Sequence, residues 1–403
     1  MTYKAILTAA AVAAACTCAF AQQSEIAKWD SRMAADNAVV DTNGVKWVDG
    51  KFLPIEGRWT LGGATNYYSR LPDTLTTNVN AGVRGMRCHT SGMLFRFRTD
   101  SNFLVIRHTP LTGWHGMPHM TEVGTSGWDV YRLDKPSGKW RFVASSHRAT
   151  ADRENPEARV KRIAWKAGDE CIINLPLYNG VKEFSLGIAS DAKIESPAPW
   201  ASGVAKPVVF YGTSITHGGC ASRPGLGFVN IVGRDLNVPV VNLGFSGSGR
   251  MEMEMADQLA RIDASCYVLD CLWNMSRPDP ESGKAFHDMY AAGFDGEDPI
   301  SVVRFRYEPF IRALRAKRPS VPIIMAEQCD VYCKTKSEKN GFVRALYEKL
   351  VGEGWKDLVY LPNDGMYPDD FEGTVDGVHP NDWGMMHLAK AFGGAVREAL
   401  KLK

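Results

Sequence analysis

The pattern of apolar and polar positions changes near residue 200. Before that point, short alternating or aromatic runs are separated by polar turns. These runs predict strands at residues 46–48, 93–98, 103–106, 128–133, 140–144, 171–175 and 184–188. Many short strands with period-two alternation are typical of an antiparallel sandwich or jelly roll. We therefore predict a jelly-roll-like β-sandwich domain over residues 22–200.

After a Pro-rich segment at residues 195–200, strands and helices alternate. Apolar runs predict strands at residues 207–211, 238–243, 266–272, 321–326 and 358–361. Helical spacing predicts helices at residues 227–236, 251–262, 303–317, 337–351 and 381–400. Strands that are apolar on both faces indicate a parallel sheet covered by helices. The pattern thus predicts an α/β domain with a five-stranded parallel sheet over residues 201–403.

An irregular stretch at residues 279–300 exceeds the usual loop length, which indicates a lid or a substrate-facing excursion.

The first residues have the pattern of a secretory signal. Lys4 precedes an apolar run over residues 5–20, and Ala19 and Ala21 form a small-x-small cleavage site. The run is shorter than the roughly 20 apolar residues of a transmembrane helix, and no other stretch is long enough. A lipid anchor on Cys16 or Cys18 is disfavoured because no Leu precedes either at the usual spacing. We expect a signal peptide over residues 1–21 and a periplasmic or secreted protein without integral membrane association.

Charge limits the classes of partner that we expect the protein to bind. The chain has 47 Lys and Arg against 45 Asp and Glu, a net charge of +2. This balance offers no broad cationic face, so we do not expect nucleic acid as a partner.

Of the 9 Cys, 2 lie in the predicted signal, which leaves 7. Seven cysteines are too sparse for a disulfide scaffold, and an odd count leaves at least one of them unpaired. Cys266 and Cys271 lie in an apolar run that predicts buried thiols. Cys329 and Cys333 are spaced so that they could bridge a loop.

In an open parallel sheet, function collects at the carboxyl ends of the strands. Ser214 follows the first predicted strand, a Gly-rich loop at residues 244–249 follows the second, and Asn274 follows the third. Asp376 and His379 directly precede the last helix. A carboxylate can bind one imidazole nitrogen and leave the other as a general base. Taken alone, a serine in this place is more often a helix cap than a catalyst, the Gly-rich loop can be a plain turn, and an isolated Asp-x-x-His is usually a surface loop.

In combination, these segments resemble the four consensus blocks of the SGNH (GDSL) hydrolase family over about residues 205–400. The resemblance implies a flavodoxin-like sheet and a serine hydrolase that needs no cofactor and no metal. It implies that Ser214 is the nucleophile, His379 the general base and then acid, and Asp376 the residue that orients it. The backbone amides of Ser214 and Gly247 and the side chain of Asn274 would form the oxyanion hole.

The sequence departs from the family pattern in two blocks. Residues 212–215 are Gly-Thr-Ser-Ile instead of Gly-Asp-Ser-Leu, which leaves the serine and its helix start in place. Residues 272–275 are Leu-Trp-Asn-Met where Gly-x-Asn-Asp is usual, so Asn274 is less firmly assigned than the triad. Gly244 and Gly249 are rivals of Gly247 for the oxyanion amide.

The first half is similar to the Gly-x-Asp-Leu-Tyr module found before some bacterial SGNH hydrolases. Its segment Gly127–Tyr131 has Val in place of the Leu. His115 and His119 could form a metal pair, but with no third ligand near them in sequence we expect structural roles. Three tryptophans are candidates for core packing or sugar stacking, and core packing is favoured on strands: Trp114, Trp128 and Trp140.

The resemblance implies an exported esterase of a kind that often acts on acylated glycans. The predicted export, the added β domain and the 11 Trp, 13 Tyr and 17 Phe lead us to expect short-chain acyl esters, above all O-acetyl groups, carried by a carbohydrate or another small molecule. A lipid-directed esterase or lysophospholipase is the alternative enzyme. Five methionines could line its acyl groove, although core packing is the favoured role for them: Met251, Met253, Met255, Met385 and Met386. The alternative outside catalysis is a glycan-binding protein on a degenerate hydrolase scaffold.

Overall fold

The computed structural model describes residues 38–75, 79–114, 116–146, 161–276, 298–331 and 337–403. The predicted signal, His115, Cys333 and most of the stretch 279–300 lie outside the described residues. The signal and the pairing of Cys329 with Cys333 therefore stay predictions.

Two antiparallel sheets occupy the first half. Their strands are β1 (Val39–Val40), β2 (Val45–Asp49), β3 (Ile55–Glu56), β4 (Leu94–Thr99), β5 (Phe103–Pro110), β6 (Asp129–Asp134), β7 (Lys139–Ser145), β8 (Lys161–Ala164), β9 (Glu170–Asn174), β10 (Val181–Ala189) and β11 (Ile194–Glu195). One sheet has the order β1-β2-β10-β5-β8 and the other β11-β4-β9-β6-β7, with β3 paired to β4. Two short helices, α1 (Ala81–Met86) and α2 (Glu122–Ser126), lie between strands. Phe95 and Phe184, one from each sheet, lie in a shared core with their ring centroids 4.7 Å apart.

The second half forms a parallel sheet with helices on both faces. Its strands are β12 (Val208–Gly212), β13 (Val240–Gly244), β14 (Cys266–Asp270), β15 (Ile323–Ala326) and β16 (Leu358–Leu361). The helices are α3 (Ser214–His217), α4 (Phe228–Leu236), α5 (Met253–Arg261), α6 (Ser301–Lys317), α7 (Glu338–Gly352) and α8 (Asp382–Leu400). The strand order is β13-β12-β14-β15-β16, which confirms the flavodoxin-like fold class.

Alternation along the strands explains why both faces are covered. On β12, Val209 and Tyr211 pack into one core with α5, α6 and α7. Val208 and Phe210 pack into the opposite core with α4 and α8. The predicted third strand ends at Asp270, because Leu272–Asn274 turn into a 3-10 helix. Cys266 and Cys271 are buried, as expected.

The length and apolar character of the helices determine whether any of them could span a membrane. Within the described residues, no helix combines the length and apolar character needed to cross a bilayer.

Arg70 joins the first half to the edge of the parallel sheet. The side chain is 1% exposed, and its guanidinium donates to the carbonyls of Asn242 at 3.2 Å and Gly244 at 2.8 Å. It also donates to the carbonyl of Met86 at 2.9 Å. Because β13 is an edge strand, these outward carbonyls have no neighbouring strand to pair with. Burial lowers the pKa of Arg70 to about 9, so the guanidinium remains charged at neutral pH.

We predict that Arg70→Met lowers the free energy of unfolding by about 3 kcal/mol, because it leaves buried carbonyls without donors. The matched control is Arg141→Met, at an exposed arginine 3.7 Å from Asp134, which should change stability by less than about 0.5 kcal/mol. Urea denaturation of both variants measures the difference. Equal, small effects would contradict this role of Arg70.

Candidate active site

Ser214 lies at the carboxyl end of the buried strand β12. The side chain of Thr213 caps the short helix α3 by accepting from the amide of Ile215 at 3.3 Å. A Cβ at Gly212 would come within 2.0 Å of Thr216 Oγ1, so only glycine fits at the strand end. Strand and cap together hold Ser214 at the edge of the sheet, where it is 8% exposed.

Asp376 and His379 are fixed in the loop before α8. The carboxylate of Asp376 accepts from the backbone amides of Val378 at 3.0 Å and His379 at 2.7 Å. Asn381 caps α8 by accepting from the amide of Gly384 at 3.0 Å. The loop is therefore tied both to its own carboxylate and to the start of the helix.

The three predicted residues form one hydrogen-bonded row. Ser214 Oγ lies 2.9 Å from His379 Nε2, and His379 Nδ1 lies 2.7 Å from Asp376 Oδ2. We assign the Nδ1 proton to the bond with Asp376, which leaves Nε2 to accept from the hydroxyl of Ser214. Partial burial would raise the pKa of Asp376, but the hydrogen bonds from His379 and Val378 outweigh it and lower the pKa. An ionised carboxylate, an imidazole and a hydroxyl in this order can transfer a proton away from the serine.

The loop after β13 distinguishes the candidate oxyanion amides. The amide of Gly244 donates to Asn242 Oδ1 at 2.8 Å, and that of Gly249 donates to the carbonyl of Phe245 at 3.1 Å. Both rivals are thus occupied. In the part of the chain that the structure describes, the amide of Gly247 has no acceptor. Gly247 has φ +64°, a left-handed conformation that glycine adopts without strain.

Asn274 lies beside the same loop. Its Nδ2 donates to the carbonyl of Phe245 at 3.3 Å from the 3-10 turn after β14. A side-chain amide has two N–H groups, so one remains to donate to a ligand.

The first half contributes side chains at the site that sequence spacing does not indicate. The hydroxyl of Tyr178 donates to the carbonyl of Ser214 at 3.0 Å. The ring of Tyr178 stacks on that of His217 with centroids 4.1 Å apart. The ring of His119 lies 5.9 Å from that of His379. No local signal reveals these contacts, because the partners come from different halves of the chain.

The three tryptophans differ in burial. Trp128 is 2% exposed in the β-sandwich core, as expected, and Trp140 is half-buried against Trp200. The core assignment is wrong for Trp114, which is 39% exposed. It lies on the loop after β5 rather than on a strand, so the inward packing of strand residues does not apply to it. Its ring is 6.3 Å from that of Tyr178, which contacts the backbone of Ser214.

Asp270 is a buried carboxyl beneath the candidate nucleophile. It accepts from Thr216 Oγ1 at 2.6 Å, and Thr216 lies on the same short helix as Ser214. Burial raises the pKa of Asp270 to about 7, although the hydrogen bond from Thr216 opposes this shift.

This pKa predicts a pH-dependent stability. The carboxyl of Asp270 ionises near pH 3.8 in the unfolded chain and near pH 7 in the folded one. Its contribution to the parent's stability therefore falls as the pH rises between these values and stays constant above pH 7. Asp270→Asn cannot ionise and lacks this loss. We expect the difference in unfolding free energy to move in the variant's favour by up to about 4 kcal/mol between pH 4 and pH 8. Denaturation across this range measures it, and parallel pH curves would contradict the buried charge.

Comparison with known families extends these observations to both halves of the chain. Residues 205–397 match the model of the GDSL-like lipase/acylhydrolase family. Residues 45–194 match the GxDLY model, the N-terminus of SGNH-hydrolase-type esterases. Among curated protein sequences, none matches this chain.

Solved structures share the whole arrangement. A protein from Bacteroides ovatus ATCC 8483, described as a GDSL-like lipase, is 27% identical with a TM-score of 0.72, over 89% of this chain and 99% of its own. The salicylyl-acyltransferase SsfX3 from a tetracycline biosynthetic pathway is 18% identical with a TM-score of 0.64, over 90% and 100%. A family two carbohydrate esterase from Cellvibrio japonicus is 10% identical with a TM-score of 0.52, over 89% and 98%.

The last two similarities concern the fold alone, whereas the two family models together span most of the chain. Residues 205–397 therefore belong to the GDSL-like lipase/acylhydrolase family, and the chain is an SGNH-type carboxylic ester hydrolase with a GxDLY module before its α/β domain.

Proposed function

We propose that this chain is an exported serine esterase that removes short acyl groups, above all O-acetyl groups, from carbohydrates. The observation that carries the catalytic part is the hydrogen-bonded row Ser214–His379–Asp376, with bonds of 2.9 and 2.7 Å. The export part rests on the predicted signal over residues 1–21 and makes the protein periplasmic or secreted.

In the acylation step, Ser214 Oγ attacks the acyl carbonyl carbon while His379 Nε2 takes the hydroxyl proton. Asp376 holds the Nδ1 proton and stabilises the imidazolium that forms. The tetrahedral intermediate collapses when His379 returns its proton to the oxygen of the leaving alcohol. The products of this step are the free alcohol and an ester between the acyl group and Ser214.

In the deacylation step, a water molecule gives a proton to His379 and attacks the acyl-serine. Collapse of the second intermediate releases the carboxylic acid and returns the proton to Ser214. In both steps the carbonyl oxygen carries negative charge. We assign its stabilisation to the amides of Ser214 and Gly247 and to Asn274 Nδ2, each of which has an N–H group available to donate.

A carbohydrate substrate is supported by the surroundings of the site. Trp114 presents an exposed aromatic ring next to Tyr178, and exposed aromatic faces suit sugar rings. The net charge of +2 is compatible with a neutral acylated sugar. The solved structure from Cellvibrio japonicus is described as a carbohydrate esterase, and we extend that substrate class to this chain as part of the proposal.

A short acyl group is supported by the fate of the five methionines. Met251, Met255 and Met385 are completely buried in the two cores of the α/β domain. Met253 and Met386 lie on exposed helix surfaces. Three of these residues therefore pack the domain and the other two face solvent, which argues against one acyl groove lined by all five.

The catalytic part predicts that Ser214→Ala lowers kcat/KM for p-nitrophenyl acetate by at least about 1,000-fold, because the nucleophile is lost. Ser137→Ala changes an exposed serine in the turn between β6 and β7 and serves as the matched control, with activity near that of the parent. Stopped or continuous release of p-nitrophenol measures both. Undiminished turnover by Ser214→Ala would exclude this serine as the nucleophile.

The substrate part predicts a chain-length preference. Among p-nitrophenyl esters, we expect kcat/KM to be highest for acetate and at least about tenfold lower for octanoate. A small acyl pocket that excludes extra methylenes discriminates between substrates on this scale. Acetate release from acetylated xylan, absent with Ser214→Ala, checks the carbohydrate assignment. A preference for octanoate would instead favour the lipid-directed esterase.

A further inference from the structure

Three potential metal ligands meet at the mouth of the active site. His119, Asp376 and His379 each present one donor atom, and the three donor atoms lie within 4.8 Å of one another. The rings of the two histidines are inclined by 34°, with centroids 5.9 Å apart. Two imidazoles and one carboxylate, with a fourth position open to water, form a ligand set found in zinc enzymes.

His119 is exposed and available. In the described residues, neither of its ring nitrogens has a hydrogen-bond partner. Its neighbours are nevertheless anchored, because Met120 packs against the core of the α/β domain. Thr121 caps α2 and donates to the carbonyl of Ser222 at 2.7 Å. The backbone thus stays at the mouth of the site while the imidazole can rotate.

No third ligand lies near His115 and His119 in the sequence. The fold supplies Asp376 and His379 from the other half. Their own contact is already short, since Asp376 Oδ2 and His379 Nδ1 are 2.7 Å apart.

We propose that Zn²⁺ binds reversibly across His119, Asp376 and His379 and inhibits the esterase. Zinc bonds of about 2.0–2.2 Å in tetrahedral geometry place donor atoms roughly 3.5 Å apart. The donors must therefore move by about 1 Å, His119 inward and the Asp376–His379 pair slightly apart. Rotation of an exposed side chain provides a movement of this size.

The inhibition follows from proton placement. In the catalytic state, the Nδ1 proton of His379 faces Asp376, and Nε2 accepts from Ser214. Zinc takes the Nδ1 lone pair, so the proton of the neutral ring moves to Nε2. A protonated Nε2 no longer accepts the serine hydroxyl, so nucleophilic attack stops. No redox change and no further bond is involved, and removal of zinc restores the catalytic tautomer.

The binding is tested by calorimetric titration of zinc chloride into the Ser214→Ala protein, which retains all three ligands. We expect one saturable site whose Kd rises at least about tenfold when His119→Gln is added. His387→Gln, a change at a half-buried histidine on α8 that lies outside the proposed site, is the matched control and should leave the Kd unchanged. A Kd and stoichiometry unaffected by His119→Gln would overturn the proposal, as would the absence of binding at millimolar zinc.

The inhibition rests on the proposed function and is tested separately. Zinc should reduce hydrolysis of p-nitrophenyl acetate, and a chelator should restore it. The zinc concentration that halves activity, measured against each variant's own zinc-free rate, should rise at least about tenfold in His119→Gln and stay parental in His387→Gln. Equal zinc sensitivity in all three proteins would overturn the site. A chain without esterase activity would contradict the proposed function, and the calorimetry would still decide the zinc site.

Discussion

The 2.9 Å hydrogen bond between Ser214 and His379 joins residues 165 positions apart in the chain, and the architecture of the second half makes it possible. Ser214 follows β12, an inner strand of the sheet, and His379 precedes α8, which packs against α4 and the sheet. Parallel strands deliver their carboxyl ends to one edge, so the serine and the loop before the last helix meet there. The cores on both faces keep that edge rigid.

The first half supports this edge directly. Arg70 pairs with the outward carbonyls of β13, and Asn80 donates to the carbonyl of Ser248 at 2.8 Å in the loop that carries Gly247. Tyr178 donates to the carbonyl of Ser214 itself. Ser91 donates to the carbonyl of His217 at 2.7 Å, at the end of the same short helix. The β-sandwich therefore stabilises the backbone on which the catalytic side chains and the oxyanion amides depend.

The sequence predicted the strands and helices of the second half to within a few residues, because two-sided apolar runs and helical spacing are local signals. It also singled out Ser214, which follows the end of a strand, and Asp376 and His379, which precede the last helix. Spacing from Asn242 favoured Gly247 among the glycines after β13, but it could not show that the Gly244 amide is occupied, because that depends on where the side chain of Asn242 lies. Contacts such as those of Arg70 and the exposure of Trp114 depend on tertiary packing, about which periodicity carries no information.

The most direct measurement is covalent labelling of the native protein with a fluorophosphonate, followed by peptide mapping. An activated serine reacts with this reagent, whereas an ordinary hydroxyl does not. The account predicts a single modified residue, Ser214, and loss of labelling in His379→Ala, because the hydroxyl then has no base. Labelling at another serine, or undiminished labelling of Ser214 without His379, would contradict it.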